Sequence, residues 1–226
     1  MVASTASGQK ATFAKRIGAI VVDVQGDFTE WKKGSLAVPG TDRAFIEKVT
    51  DATKQLKKAG FILFATQDWH PGEHISFHTS HPGKKPFEVI TVHNRTQALW
   101  PPHGVQGTEN ARILVDNNLF LAIVQKGRDK RFDSYSGFQD HEGQETEMDS
   151  ILKHNGIEKV VVYGIATDYC VRATAIDAAH AGYKVIVIEE LCRGVASDTS
   201  MKALEEIKKA GVIILDKLDI DKIKKL

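Results

Sequence analysis

The chain has 226 residues, 42% hydrophobic and 26% charged, with a formal net charge of +1. That length supports one large domain or two small ones and a core that needs no staples, and the near-zero charge argues against a dedicated nucleic-acid or membrane-surface binder. No apolar run reaches the length of a membrane-spanning helix, and two cysteines make no disulfide framework, which points to a reducing, cytoplasmic setting.

Residues 1–16, "MVASTASGQKATFAKR", hold three basic residues and no acid. That composition is compatible with an organelle transit peptide but lacks the apolar core of a secretory signal. The simpler expectation is a short disordered tail before a single domain over 17–226. "IGAIVVDV" (17–24) is a short β-branched run and reads as a strand buried on both faces. In "TDRAFIEKVTDATKQLKKAG", Phe45, Val49, Ala52 and Leu56 fall at helical spacing, with Thr41 or Asp42 as N-cap and Gly60 as the stop. "FILFATQ" (61–67) and "FLAIVQK" (120–126) are further strands. "ETEMDSILKHNG" (145–156) reads as a helix, "KVVVYGI" (159–165) as a strand, and 170–181 as a helix stopped by Gly182. "KVIVIEE" (184–190), the capped helix 198–211 and "VIIL" (212–215) complete the alternation.

Continuously apolar strands alternating with helices imply a parallel sheet covered on both faces. The expected fold is a single three-layer α/β/α domain, Rossmann-like, with six mainly parallel strands. Residues 68 to about 118, rich in His, Pro and Gly, form a long connection of the kind that is usually functional. Ligand sites in such sheets gather at the carboxyl ends of the strands. Asp23, Gln25, Asp27 and Phe28 follow strand one there; Asp68, His70 and His74 follow strand two; Lys126 ends strand three; Cys170 follows strand four.

Each of these has a bland alternative. A lone cysteine is most often a packed core residue, a strand-end lysine usually snorkels into water, and an acid after a strand can cap a turn. Their shared edge is the signal. Cys170 falls in the first turn of the expected helix, where the macrodipole, with Lys126 nearby, would favour a thiolate. Asp23 could serve as its base. Asp68, His70 and His103 offer one carboxylate and two imidazoles, a set suited to Zn²⁺, Fe²⁺ or Mn²⁺. No phosphate-binding glycine loop follows any strand. Cys192 reads as structural.

The segments "VVDVQGDF", "TQDWHPGEHISF", "LWPPHGVQGT", "QKG" with "FDSYSGF", and "VVVYGIATDYCVRATAIDAAHAGYKV" together resemble the nicotinamidase/pyrazinamidase family of the isochorismatase-like cysteine hydrolases. The resemblance runs from residue 21 to 185. It implies a catalytic triad of Asp23, Lys126 and Cys170, and one divalent metal per chain on Asp68, His70 and His103, with His74 adjacent to it. It also implies a cis peptide at Ile165–Ala166 and an oxyanion hole from the N–H groups of Ala166 and Cys170. A ring pocket walled by Phe28, Trp100 and Tyr135 would receive nicotinamide, and family members often self-associate. The chain departs from shorter members between His81 and Trp100 and in "DHEGQETEMD". It also carries "GVQGT" after His103, where many members place a cysteine. Three rivals stand beside this reading: an amidohydrolase acting on another small molecule, a non-catalytic binding module, and a redox-sensing thiol paired with Cys192.

Overall fold

The computed structural model describes residues 16–92 and 94–226. The expected tail lies outside them except for Arg16, as does His93. Six strands form one sheet: β1 (Arg16–Val22), β2 (Ile62–Asp68), β5 (Ala122–Lys126), β6 (Ile157–Ile165), β7 (Lys184–Arg193) and β8 (Ile213–Leu215). Their order is β5-β2-β1-β6-β7-β8, and every pairing is parallel. Helices α1 (Arg43–Lys58), α2 (Met148–His154), α3 (Arg172–His180), α4 (Ser197–Lys209) and α5 (Ile220–Lys225) accompany it. The three-layer α/β fold expected from the alternation is the one observed.

The local causes are legible. Residues 18–22 and 160–165 are buried without interruption, as strands covered on both faces must be. In α1, Asp42 caps the start by accepting the Phe45 N–H at 2.8 Å. Its buried stripe includes Phe45, Val49, Ala52 and Leu56. Full burial of each large apolar side chain stabilises the domain by roughly 1.5–3 kcal/mol. Thr53 of α1 meets the Tyr163 hydroxyl of β6 at 2.9 Å, so the one polar atom that β6 sends under this helix is satisfied.

Three features differ from the sequence expectation. The long connection contains an antiparallel hairpin, β3 (Val89–Val92) with β4 (Arg95–Ala98). Its strands are short and half exposed, so they carry no apolar run to announce them. Helix α5, six residues at the C-terminus, also lacks a long periodic pattern. The helix expected from Cys170 begins instead as a π-turn over Thr167–Val171, with α3 proper starting at Arg172. There Val171 N–H bonds the Ala166 carbonyl five residues back at 3.0 Å. Asp168 anchors the widened turn. Its buried carboxylate accepts the Val195 and Ala196 N–H groups at 3.0 and 3.3 Å and the Thr199 hydroxyl, tying the turn sideways to the start of α4.

The order of strands decides where function can sit. The chain runs from β1 to β2 on one side, and later returns to place β6 on the other. The carboxyl ends of β1 and β6 therefore flank the switch point of the sheet, where crevices form.

Candidate active site

Asp23 leaves β1 with φ 46°, a left-handed conformation that costs a non-glycine residue of order 1–3 kcal/mol. Thr66 of β2 holds it there. The Asp23 N–H donates to Thr66 Oγ1 at 3.2 Å, and the hydroxyl donates to Asp23 Oδ1 at 2.6 Å. On the neighbouring strand pair, Asp68 stands in register with Lys126. The Lys126 ammonium is buried. It sits 2.9 Å from Asp23 Oδ2, pairs with Asp68 Oδ1, donates to the Ser134 carbonyl at 3.0 Å and lies 3.5 Å from Cys170 Sγ. Side-chain atoms of Asp23, Asp68 and Cys170 fall within 4.8 Å of one another. The peptide Ile165–Ala166 is cis, as the resemblance implies.

The electrostatics set burial against the helix start. The sequence places Cys170 where a thiolate is favoured. In the fold, burial is the largest influence and pushes the thiol well above its ordinary range; Lys126 opposes this, while Asp23 and Asp68 add to it. Burial likewise pushes the Asp23 carboxyl up, against the pull of Lys126. Burial thus raises the proton affinity of both Cys170 and Asp23, and Lys126 opposes it at both. Asp68 differs: burial opposes its charge, but Lys126, His70 and His103 overcome that and hold it well below the usual range.

Asp68, His70 and His103 offer one oxygen and two nitrogens within 4.8 Å of one another. The ring orientations fit a metal. His70 Nδ1 meets the Gly127 carbonyl at 2.9 Å and His103 Nδ1 meets the Pro101 carbonyl at 2.7 Å. Each carbonyl fixes the proton on Nδ1 and leaves Nε2 as a donor, the orienting arrangement of metal-binding imidazoles. Those Nε2 atoms lie 3.5 and 3.9 Å from Asp68 Oδ2. Burial holds the His103 imidazole down to about 4, in the neutral form that ligation needs; burial also opposes a charge on His70, but Asp68 outweighs it and raises that imidazole, so ligation there displaces a proton. His74 stacks on His70 with centroids 4.2 Å apart, but both its nitrogens are occupied, by Ser76 Oγ at 2.8 Å and the Phe132 carbonyl at 3.0 Å. It supports the site from behind. Gly127 is required: with φ +65° it passes under His70, and a Cβ there would lie 2.2 Å from the ring.

Between the thiol and the imidazoles lies a cavity of about 440 Å³, counting its open mouth, lined by Phe28, Trp100, His103, Tyr135, Ala166 and Cys170 among others. The three expected aromatic walls are thus brought together. Trp100 Nε1 donates to the Tyr135 hydroxyl at 3.2 Å, and the Phe28 ring stands 5.4 Å from His103.

Sequence reasoning missed several participants. Gln25 was noted without a role; its amide donates to the Asp68 and Ala111 carbonyls and accepts the Asp68 N–H, clamping that strand end. Asp27 accepts the Gly104 N–H at 2.9 Å and so anchors the loop carrying His103. Thr66 could have been found as a polar residue two positions before Asp68 in an apolar strand. Tyr169 and Asp133 both line the cavity and lie inside motifs already singled out.

The model of the isochorismatase domain family matches residues 18–218. A nicotinamidase of Acinetobacter baylyi is 39% identical over 203 residues, covering 88% of this chain and 92% of that protein. The yeast nicotinamidase Pnc1p bound to the inhibitor nicotinaldehyde superposes with a TM-score of 0.83 at 32% identity, covering 89% of this chain and all of the other. The pyrazinamidase of Pyrococcus horikoshii in complex with zinc gives 0.75 at 34% identity, covering 90% and 99%.

Proposed function

The chain belongs to the isochorismatase domain family, and from that premise we propose that it is a nicotinamidase, hydrolysing nicotinamide, and pyrazinamide by the same route, to the ring carboxylate and ammonia. The observation that carries the reading is one cavity bounded by two sets of groups. Cys170 of the Asp23–Lys126–Cys170 cluster and Asp68 and His103 of the metal-donor set open onto it together, the two sets joined through the Lys126–Asp68 pair, with aromatic walls around them. A carboxamide on an aromatic ring would sit there with its ring nitrogen toward the histidines and its carbonyl toward the thiol.

Asp68, His70 and His103 would hold one divalent metal, which when bound supplies a Lewis-acidic anchor for the ring nitrogen. Zinc is favoured by the zinc-bound relative, and Fe²⁺ or Mn²⁺ suits the same donors. Phe28, Trp100 and Tyr135 orient the ring and exclude water. Asp23 takes the proton of Cys170 as sulfur attacks the carboxamide carbon. The Ala166 and Cys170 N–H groups face the developing oxyanion, a contribution of roughly 3 kcal/mol for each well-placed donor. Asp23 then returns the proton to departing ammonia, leaving a thioester, and next deprotonates the water that releases the acid. Lys126 stays charged throughout and holds Asp23 and Cys170 in place. The whole of 17–226 acts as one domain. The free, buried Cys170 and Cys192 suit a reducing cytoplasm, and family habit favours self-association. No described helix is long and apolar enough to cross a membrane.

The test is ammonia release from nicotinamide by purified protein, with metal content measured on the same sample. Turnover with about one metal per chain, and at least about 100-fold slower hydrolysis of benzamide, which lacks the ring nitrogen, is expected. Equal rates on the two amides would shift the reading to a general small-amide hydrolase.

A further inference from the structure

The pocket wall holds a buried carboxylate that this mechanism does not use. Asp133 is 4% exposed and lines the same cavity as Cys170, Trp100 and His103. Both oxygens accept hydrogen bonds: Oδ1 from the Ser134 N–H at 2.9 Å, Oδ2 from Gln97 Nε2 at 2.9 Å. The Gln97 amide cannot be turned round, because Nε2 also donates to the Ala98 carbonyl at 2.8 Å. Trp100 donates to the Tyr135 hydroxyl, which leaves the phenolic proton for Asp133. Donors on each side call for an ionised carboxylate.

That charge lacks the lysine that the others share. Asp23 and Asp68 share Lys126. Among the described residues, Asp133 has no lysine or arginine within ion-pair distance. His70, His74 and His141 stand near it. Of these, His70 and His74 have their ring nitrogens committed as described above, and His141 lies across the Tyr135 ring at 5.1 Å.

We infer that Asp133 is a specificity-determining residue that selects ligands by charge, holding a neutral ring amide and disfavouring the anionic product. The inference rests on the nicotinamidase reading for the identity of that product. Hydrolysis converts an uncharged carboxamide into a carboxylate inside the cavity, and a fixed negative wall raises the energy of the second and not of the first. For two unit charges sharing one partly screened cavity, the penalty corresponds to about tenfold in affinity.

Calorimetric titration of zinc-loaded protein with nicotinate and with neutral 3-hydroxymethylpyridine tests this. Wild-type protein is expected to bind nicotinate about tenfold or more weakly than the neutral compound. Asp133→Asn should narrow that ratio by about tenfold. Asp133→Ser, which puts no donor against the fixed Gln97 amide, should narrow it similarly. Variants that leave the nicotinate-to-neutral ratio at its wild-type value overturn the proposal, as does a variant that weakens both ligands alike, which would mark Asp133 as purely structural. Nicotinamide turnover by the same preparation separates the two failures. Turnover with no charge preference removes the role of Asp133 alone. Absent turnover removes the nicotinamidase reading, and the charge preference is still read from binding.

Discussion

Thr66→Val isolates the hydrogen bond that holds the catalytic carboxylate. Valine matches threonine in shape, so the cavity is unchanged. The lost hydroxyl strips Asp23 Oδ1 of a 2.6 Å donor and leaves the buried Asp23 N–H without its 3.2 Å acceptor. A hydrogen bond to a charged group is worth roughly 1.5–3 kcal/mol and an orphaned buried group costs about as much. Taken at their low ends the two give a loss of about 3 kcal/mol, which for a domain of this size lowers Tm by ~6–12 °C. The sign on the proton affinity follows from what is removed. The donor stabilises the carboxylate and not the acid, so the Asp23 pKa, already raised by burial, rises further. By the low end of the hydrogen-bond energy that is about one unit. The acid limb of kcat/KM for nicotinamide, which belongs to the Asp23–Cys170 pair, should therefore move to higher pH by about one unit. The assay is a pH–rate profile with thermal unfolding on the same protein. A lowered Tm with an unshifted acid limb would refute the claim that Thr66 sets the basicity of Asp23.

Cys170→Ala should cut ammonia release by at least about 10⁴-fold while zinc content stays near wild type, since the thiol is not among the Asp68, His70 and His103 donors; residual turnover within tenfold of wild type would remove it as nucleophile. Gly127→Ala pushes a methyl into His70 at a positive φ. Zinc affinity should drop by at least about tenfold, and a wild-type dissociation constant by competitive chelation would contradict the orienting role of this turn. Lys126→Met leaves two buried carboxylates without their cation, and should cost about 3–5 kcal/mol in urea unfolding; a loss under about 1 kcal/mol would show that the ammonium is not needed to hold them. His74 is held down to about 4, first by burial and then by His70. An unfolded imidazole titrates near 6.5, so between those values the unfolded chain binds a proton that the folded one refuses. His74 alone should lower the stability of the metal-free protein by up to ~3 kcal/mol as pH drops from about 6.5 to 4, and His103, held down to the same value, adds to the fall with the same sign. Unfolding midpoints that stay level across that window would contradict the buried neutral state.

Alternation of apolar strands and capped helices was legible from the sequence because buried parallel strands and amphipathic helices each impose a local pattern. The same holds for α1, whose Asp42 cap and buried stripe fall where spacing puts them. The hairpin β3–β4 and the π-turn were not legible. One lacks a buried face and the other is tied by Asp168 to the segment leading into α4, 27 residues on. The residue types of the site were readable too, since Asp68, His70, His103 and Cys170 stand in dense motifs at strand ends.

The sequence by itself determined which groups are present and which edge of the sheet carries them. Only the tertiary structure decided what state those groups are in. Pairing β5 beside β2 sets Lys126 against Asp68, and β1 on the other side of β2 brings in Asp23, so three buried carboxylates acquire three different characters. Asp68 is held ionised by the lysine and the imidazoles, Asp23 is made basic by burial, and Asp133 is left charged without a lysine or arginine partner. The physical reason is that a charge's energy depends on distance and dielectric to neighbours far apart in the chain, and neither quantity exists until the strands are in register.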